Sequence, residues 1–459
     1  MARGIDKDGS FRRHVSRTLA LALPIVMTRI GIIGLSTVDV LVLGRAGERH
    51  LADYVLGETV YGGLVAVMAG LVLGVPVLTA RLVGEGREAA TGAVWRHALL
   101  YGFLVGSAFT LLLLASPWLF SAGGYEAEAA RRAGRVAAVI GFTMPFVAVY
   151  FVSASYLEAV QRPGPGFAAI ALANLGNLGL NLLLVFGAGP IPAMGAVGCA
   201  LATVINTALL AAGLSFYVRY RLPGREKFGI GRPAPASALT AREQRRIGYS
   251  AGASYALEAG AFTALTLFVG YLGITALAAH GILFQFLAFT FMIAYGIAGA
   301  TQVRVGNAWG RGDPLGMAMA GWSGLALAVA FTLPVCLVYL AFADVAIGLF
   351  TADAVVRSAA APVLIWMILA LLTDGGQTVM NSACRGRGDT WVPTLLHLAS
   401  YWGVMVPGAL VLVFPLGQGL AGIYQAILIA SVFSFAALAM RFEILRRRRD
   451  QSTQKSATS

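Results

Sequence analysis

Charge is what this sequence has least of. Asp, Glu, Lys and Arg together make up 12% of its 459 residues, against roughly 25% in an ordinary soluble domain, and 58% of the chain is hydrophobic. No water-soluble core absorbs that imbalance, so soluble enzyme classes are excluded first. The scarcity is also regional: residues 163–218, 259–303, 314–343 and 390–440 contain no Asp, Glu, Lys or Arg, and a bilayer crossing needs only about 20 apolar residues. Cysteine is nearly missing too. Cys199, Cys336 and Cys384 sit inside or at the edge of apolar segments, without the paired spacings of a disulfide framework or a zinc site, and read as packing residues. Acids are outnumbered, leaving a net charge of +13. The basic residues lie in short loops beside apolar runs rather than on one soluble face, which is the pattern of membrane orientation and not of nucleic-acid binding.

What is present is a series of long apolar runs broken by charged or Gly/Pro-rich turns. They predict twelve helices, at about 18–43, 54–80, 94–120, 134–160, 165–187, 194–219, 246–272, 277–302, 316–343, 358–384, 393–415 and 419–442. Continuous runs favour helices over a barrel, whose strands alternate. The fold class expected is an all-α polytopic membrane protein. Arg12, Arg13 and Arg17 ahead of Leu19 resemble the start of a signal peptide, but the apolar run is too long and Asp39 interrupts it, so it is read as a retained first span. With the amino terminus cytoplasmic, 27 Lys and Arg fall on that side and 6 on the other, with Arg29 alone inside the membrane. Both termini are therefore expected in the cytoplasm of a cell whose inner membrane holds the protein. The organisation expected is a cytoplasmic segment 1–17, an N-lobe 18–219, a cytoplasmic linker 220–245 with Pro223, Pro233 and Pro235 as a hinge, a C-lobe 246–442, and a basic tail 443–459 whose Arg446 to Arg449 run anchors at anionic headgroups.

The two halves resemble each other. A shift of 226 residues places Leu41-Val42-Leu43-Gly44 on Leu267-Phe268-Val269-Gly270, Gly47 on Gly273, and Gly84-Glu85-Gly86 on Gly310-Arg311-Gly312. Six helices separate equivalent positions, so direction is preserved. The twelve helices thus form two pseudo-twofold-related six-helix bundles, with a site expected between them near mid-depth and rocking as the motion.

Ionisable groups at bilayer depth cost about 2.5–3.5 kcal/mol each on insertion scales, so each needs a partner, water or a role. Glu58 and Glu158 lie near predicted helix ends, where snorkelling or a surface pair suffices. Asp39 in helix 1, Glu258 in helix 7 and Asp374 in helix 10 are deeper. One arginine, Arg29, cannot neutralise three carboxylates, so at least two acids are protonated, cation-bound or solvated; the alternative is that they bind helices together through Ser, Thr or Asn. Asn174, Asn177 and Asn181 share one face of helix 5 and can complete a shell around Asp39, or form a packing stripe. Gln377 lies one turn from Asp374, and Gln285 and Tyr255 can face Glu258. His280 reads as a satisfied interfacial residue.

These residues carry a resemblance. Leu23-Pro24 followed by Val38-Asp39, Glu258 through Leu277-Ala278-Ala279-His280, Arg304-Val305-Gly306 before Gly310-Arg311-Gly312-Asp313, Asp374 with Gln377, and Arg385-Gly386-Arg387-Gly388-Asp389-Thr390 resemble the multidrug and toxic compound extrusion (MATE) family, in its bacterial NorM-like branch, over about residues 18–442. The resemblance implies an antiporter that expels cationic or amphipathic small molecules using a Na⁺ or H⁺ gradient. It implies cation coupling at Asp39, Glu258 and Asp374, with Glu258 and Asp374 as Na⁺ ligands if sodium is the ion, supporting asparagines at 177 and 181, and a helix-bending proline at Pro24. Arg29 departs from the family pattern, where a small polar residue is expected, and is a candidate charge modulator. Leu371 and its neighbours lack an aromatic associated with the site near Asp374.

The expected mechanism is alternating access, with ion and cargo competing for the same carboxylates. No cofactor beyond the coupling ion is expected, and the chain is expected to act as a monomer. The alternative is a flippase for lipid-linked oligosaccharide or lipid, whose phosphates would call for several deep Lys or Arg where Arg29 alone is deep. A channel would want a continuous polar stripe, and a membrane enzyme a nucleophile or His/Asp motif that is not seen.

Overall fold

The structure is a computed structural model, and it describes residues 11–124, 126–231 and 238–458. Pro233 and Pro235 of the linker, the first ten residues, and the side chains of Arg447 to Arg449 lie outside the described residues. Among the described residues, eleven helices are long and apolar enough to cross a bilayer, and one bent pair makes twelve. In chain order the spans are Phe11–Ala46 (span 1), Glu48–Gly84 (span 2), Glu88–Leu114 (span 3), Ala127–Gly141 with Met144–Ala159 (span 4), Gly164–Phe186 (span 5), Gly195–Arg221 (span 6), Thr240–Tyr271 (span 7), Ile274–Arg311 (span 8), Pro314–Ala341 (span 9), Ala354–Gly386 (span 10), Trp391–Val413 (span 11) and Gly419–Arg446 (span 12). Large apolar side chains such as Leu104, Leu111, Leu172 and Leu175 stand exposed on their outer faces, as lipid contact requires. All twelve predicted helices are present.

The boundaries differ where charges or prolines misled the hydropathy. Span 2 starts at Glu48 rather than 54, because its charged first turns are helical: Arg132 of span 4 donates to Asp53 at 3.0 Å and Arg49 to Glu128 at 2.7 Å. Glu58 is consequently in the third turn of its helix, not near an end. Span 4 is bent by 40° where Pro145 opens its second segment, since proline denies the preceding turn a hydrogen bond. Span 10 continues through Arg385 to Gly386. Span 11 passes through a π-helical stretch, Ala399–Met405, before Pro407 opens the next segment.

The repeat is visible in local conformation. Gly47 and Gly273 each cap the helix that follows, with φ of 123° and 101°, and Gly86 and Gly312 both have a φ near 70°. These backbone values favour glycine, so the same turns recur at the 226-residue shift.

Contacts divide the chain into two compact units. One holds span 1 up to Arg29 together with the chain from Ser254; the other runs from Ile30 to Ala253. The division therefore falls within spans 1 and 7. In the first unit, Gly296 of span 8 meets the Val26 backbone: a Cβ there would lie 2.7 Å from the Val26 Cα, the close approach that small residues permit between membrane helices. Thr18 also contacts Ser323 at 3.1 Å. In the second unit, the described part of the linker is docked. The Gly92 amide donates to the Phe228 carbonyl at 2.8 Å, Arg96 to Gly229 at 2.9 Å, and Lys227 pairs with Glu88 at 2.6 Å.

Candidate functional site

Each compact unit holds its own buried acid cluster. In the Ile30–Ala253 unit, Asp39 lies on the face of span 1 that also buries Val42 and Leu43, one turn on, while Leu41 is exposed. That i, i+3, i+4 pattern leaves the carboxylate 2% exposed. Three neutral donors meet it: Tyr54 Oη at 2.9 Å, Asn181 Nδ2 at 2.6 Å and Thr203 Oγ1 at 3.1 Å. Asn181 also donates to Asn177 Oδ1 at 3.0 Å. Glu58, held by Ser36 at 3.3 Å, stands within electrostatic range of Asp39, a second acid in the same cluster.

The structure brings two of the three asparagines, Asn177 and Asn181, to this cluster. Ile170, Ala173, Asn177, Asn181 and Leu184 form the buried face of span 5. Asn174 points elsewhere, donating to the Gly31 carbonyl at 2.9 Å and to Ile170 at 2.8 Å; it lies two turns, about 10 Å, from position 181, too far to share one carboxylate. Tyr54 and Thr203 were not singled out from sequence, since an isolated Tyr and Thr in apolar helices carry no pattern.

In the unit that begins again at Ser254, Asp374 is 4% exposed and accepts from Gln377 Nε2 at 2.5 Å. The same amide donates to Tyr401 Oη at 3.0 Å, and Tyr401 also reaches Glu258. Glu258, Asp374, Gln377 and Tyr401 thus form one group, with two acids joined through an amide and a phenol. Tyr401 lies in the π-helical stretch of span 11, where an extra residue per turn displaces side chains from helical register, a common device at functional sites.

Tyr255 lies beside this group: it is within electrostatic range of Glu258 and meets Tyr295 at 3.4 Å. Gln285 does not. The buried face of span 8 carries Ile282, Leu283, Phe286 and Leu287, and position 285 falls outside it and is exposed. Arg29 lies over the Tyr295 ring at 5.3 Å, a cation–π geometry. An arginine outside the expected set is buried here: Arg385 is 2% exposed, lies over the Tyr255 ring at 5.4 Å and is within electrostatic range of Glu258. The Arg-Gly-Arg-Gly sequence had placed it in a loop, whereas span 10 stays helical through it. Pro24 is internal to an unbroken helix, and Thr28 donates to its carbonyl at 2.8 Å. His280 is satisfied on both ring nitrogens, by Tyr424 at 3.1 Å and Thr266 at 3.4 Å.

Among the described residues no three His, Cys, Asp or Glu side chains gather as a metal cluster. A hard cation at either acid cluster would therefore complete its shell with hydroxyl, amide or carbonyl oxygens, the ligand chemistry of such ions.

Twelve helical spans in two repeated halves, with acids buried among neutral hydrogen-bonding groups, define a polytopic membrane transporter rather than an enzyme. The MatE family model matches the chain twice, over residues 24–183 and 251–411, at close to the spacing of the internal repeat, and the chain belongs to that family. Similar curated proteins named "Probable multidrug resistance protein NorM" include one from Caulobacter vibrioides, 38% identical over 98% of this chain and 95% of its own length, and one from Mesorhizobium japonicum, 31% identical over 90% of each. The fold matches the crystal structure of a eukaryotic MATE transporter with a TM-score of 0.87 at 19% identity, covering 97% of this chain and all of that one. A multidrug resistance MATE family transporter in an outward-facing conformation also gives 0.87 at 19% identity, covering 98% and all of each chain respectively.

Proposed function

We propose that this protein is a multidrug efflux antiporter that expels cationic or amphipathic small molecules in exchange for Na⁺ or H⁺. The observation that carries the reading is the company of its buried acids: Asp39 accepts from the neutral side chains of Tyr54, Asn181 and Thr203, and Asp374 and Glu258 are linked through Gln377 and Tyr401. A carboxylate held in low dielectric by neutral dipoles takes up a proton or a cation to offset its charge. An exchangeable cation is what an antiporter couples to. The names of the relatives supply the cargo class; a lipid-linked cargo is not favoured.

In this reading, Asp39, Glu258 and Asp374 are the coupling acids. Asn177, Asn181, Gln377 and Tyr255 hold them in place, and Arg29 tempers the field felt by a cationic cargo. Ion and cargo compete for the same negative charge as the protein opens to each side in turn. One elementary charge crossing 100 mV gains about 2.3 kcal/mol, roughly fiftyfold in concentration. We place both termini in the cytoplasm of a bacterium with the chain in the inner membrane, as the distribution of Lys and Arg favours, and expect a monomer to suffice.

The test is uptake of a fluorescent cation into proteoliposomes under separately imposed pH and Na⁺ gradients. Glu258→Gln and Asp374→Asn are expected to lower gradient-driven transport by at least about tenfold, about 1.4 kcal/mol. Normal rates in both variants under both gradients would remove the coupling assignment.

A further inference from the structure

Span 10 carries a second feature beyond its acid. Asp374, Gln377, Asn381 and Arg385 follow one another at spacings of three, four and four, so they line one face of the helix for about 16 Å. All four are nearly fully buried, at 4, 1, 5 and 2% exposure. A buried polar stripe of this length is unusual in a membrane helix unless its groups pair with one another, and here they do so only in part. Gln377 Oε1, Asn381 Oδ1 and Arg385 Nε and Nη2 have no hydrogen-bond partner among the described residues. Turning an amide over exchanges which atom is left over and does not remove the deficit, because each has more hydrogen-bonding capacity than its neighbours supply.

The other side of the stripe is polar as well. His397 of span 11 meets Asn381 Nδ2 at 3.1 Å through Nε2 and Ser254 Oγ at 2.8 Å through Nδ1, and packs edge-on against Tyr401 at 5.2 Å. Buried polar atoms lacking protein partners are ordinarily satisfied by internal water. In a bilayer, such polar ladders mark routes for ions and protons.

We propose that this face of span 10 is a hydrated ion route, connecting the Glu258–Asp374 pair to the helix end that carries Arg385. Water bridges the unpaired amide and guanidinium atoms, and the coupling ion exchanges along it with one side of the membrane. Arg385 stands at the far end with its guanidinium over the Tyr255 ring, a fixed positive charge that raises the barrier to any cation passing there, a relayed proton included. The inference rests on the antiporter reading and adds the path by which the ion reaches its acids.

The experiment uses the full chain with its three buried free cysteines replaced by alanine, reconstituted in liposomes. Asn381→Cys is compared with Val379→Cys, which is also buried but faces about 200° away on the helix. Modification by 2-aminoethyl methanethiosulfonate should be at least about tenfold faster at position 381 than at 379. In parallel, Asn381→Leu should slow gradient-driven transport by at least about fivefold relative to Asn381→Ser, which leaves room for water.

Equal modification rates at the two positions overturn the route, as does equal transport by the Leu and Ser variants. These outcomes are separable from failure of the antiporter reading: inaccessibility at position 381 with coupling still lost in Glu258→Gln removes only the route, whereas accessibility with coupling unaffected in Glu258→Gln and Asp374→Asn removes the antiporter.

Discussion

Asn181 Nδ2 lies 2.6 Å from Asp39 Oδ1, joining spans 5 and 1 across 142 residues of sequence. The pair is buried at 0 and 2% exposure, so a hydrogen bond to an ionised carboxylate here contributes about 1.5–3 kcal/mol. Asn181→Ala is expected to destabilise the protein by that amount. In a double-mutant cycle the loss should be smaller when Asp39 is already Asn, because the charge that needed the donor is gone. Thermal unfolding of the four proteins in one detergent measures it; strict additivity would show that the two side chains do not act together.

Tyr401 serves both acids of the other unit, accepting from Gln377 at 3.0 Å and reaching Glu258. Tyr401→Phe keeps the ring packed and removes the hydroxyl. Its expected effect is on ion dependence rather than on folding: the concentration of coupling ion giving half-maximal transport should rise roughly tenfold, as the loss of a hydrogen bond to a charged group implies. Concentration series in proteoliposomes read this directly, and an unchanged midpoint would leave Tyr401 as a packing residue only.

Arg29 over the Tyr295 ring carries positive charge one side chain away from Tyr255. Arg29→Gln should improve the KM for a monocationic dye by roughly two- to fivefold, about 0.4–1 kcal/mol, as a charge acting through a high effective dielectric would, and leave a neutral dye unaffected. A parallel change for both dyes would point to altered packing instead of electrostatics.

Gly47 and Gly273 occupy a backbone region that L side chains avoid, with φ of 123° and 101° and ψ of 150° and 172°. Neither has an atom near its missing Cβ, so the cost of alanine is conformational, about 1–3 kcal/mol at each position. Equal drops in unfolding temperature for Gly47→Ala and Gly273→Ala would follow from the shared turn, and Gly44→Ala, in open space at an ordinary φ, should cost much less.

Much of this architecture was legible in the residues. Long charge-free runs must be helices in a bilayer, because every backbone polar group there has to be satisfied within its own segment. The glycine register at a shift of 226 therefore announced a repeat whose turns have matching dihedral angles. Depth along each run singled out Asp39, Glu258 and Asp374, and the spacing of Asn177 and Asn181 put both on the buried face of span 5.

Other features were decided by tertiary structure. Hydropathy weighs a residue by type, so it treated Arg385 and the first turns of span 2 as loop, whereas packing on neighbouring helices lets charged residues stay helical and buried. It could not say which of three aligned asparagines meets a carboxylate, since that depends on how far along its axis one helix sits against another. Nor could it find Tyr54, Thr203 or Tyr401, which acquire their importance from partners on other helices. Sequence periodicity sets which side of a helix is polar, and only the docking of helices sets what that side touches.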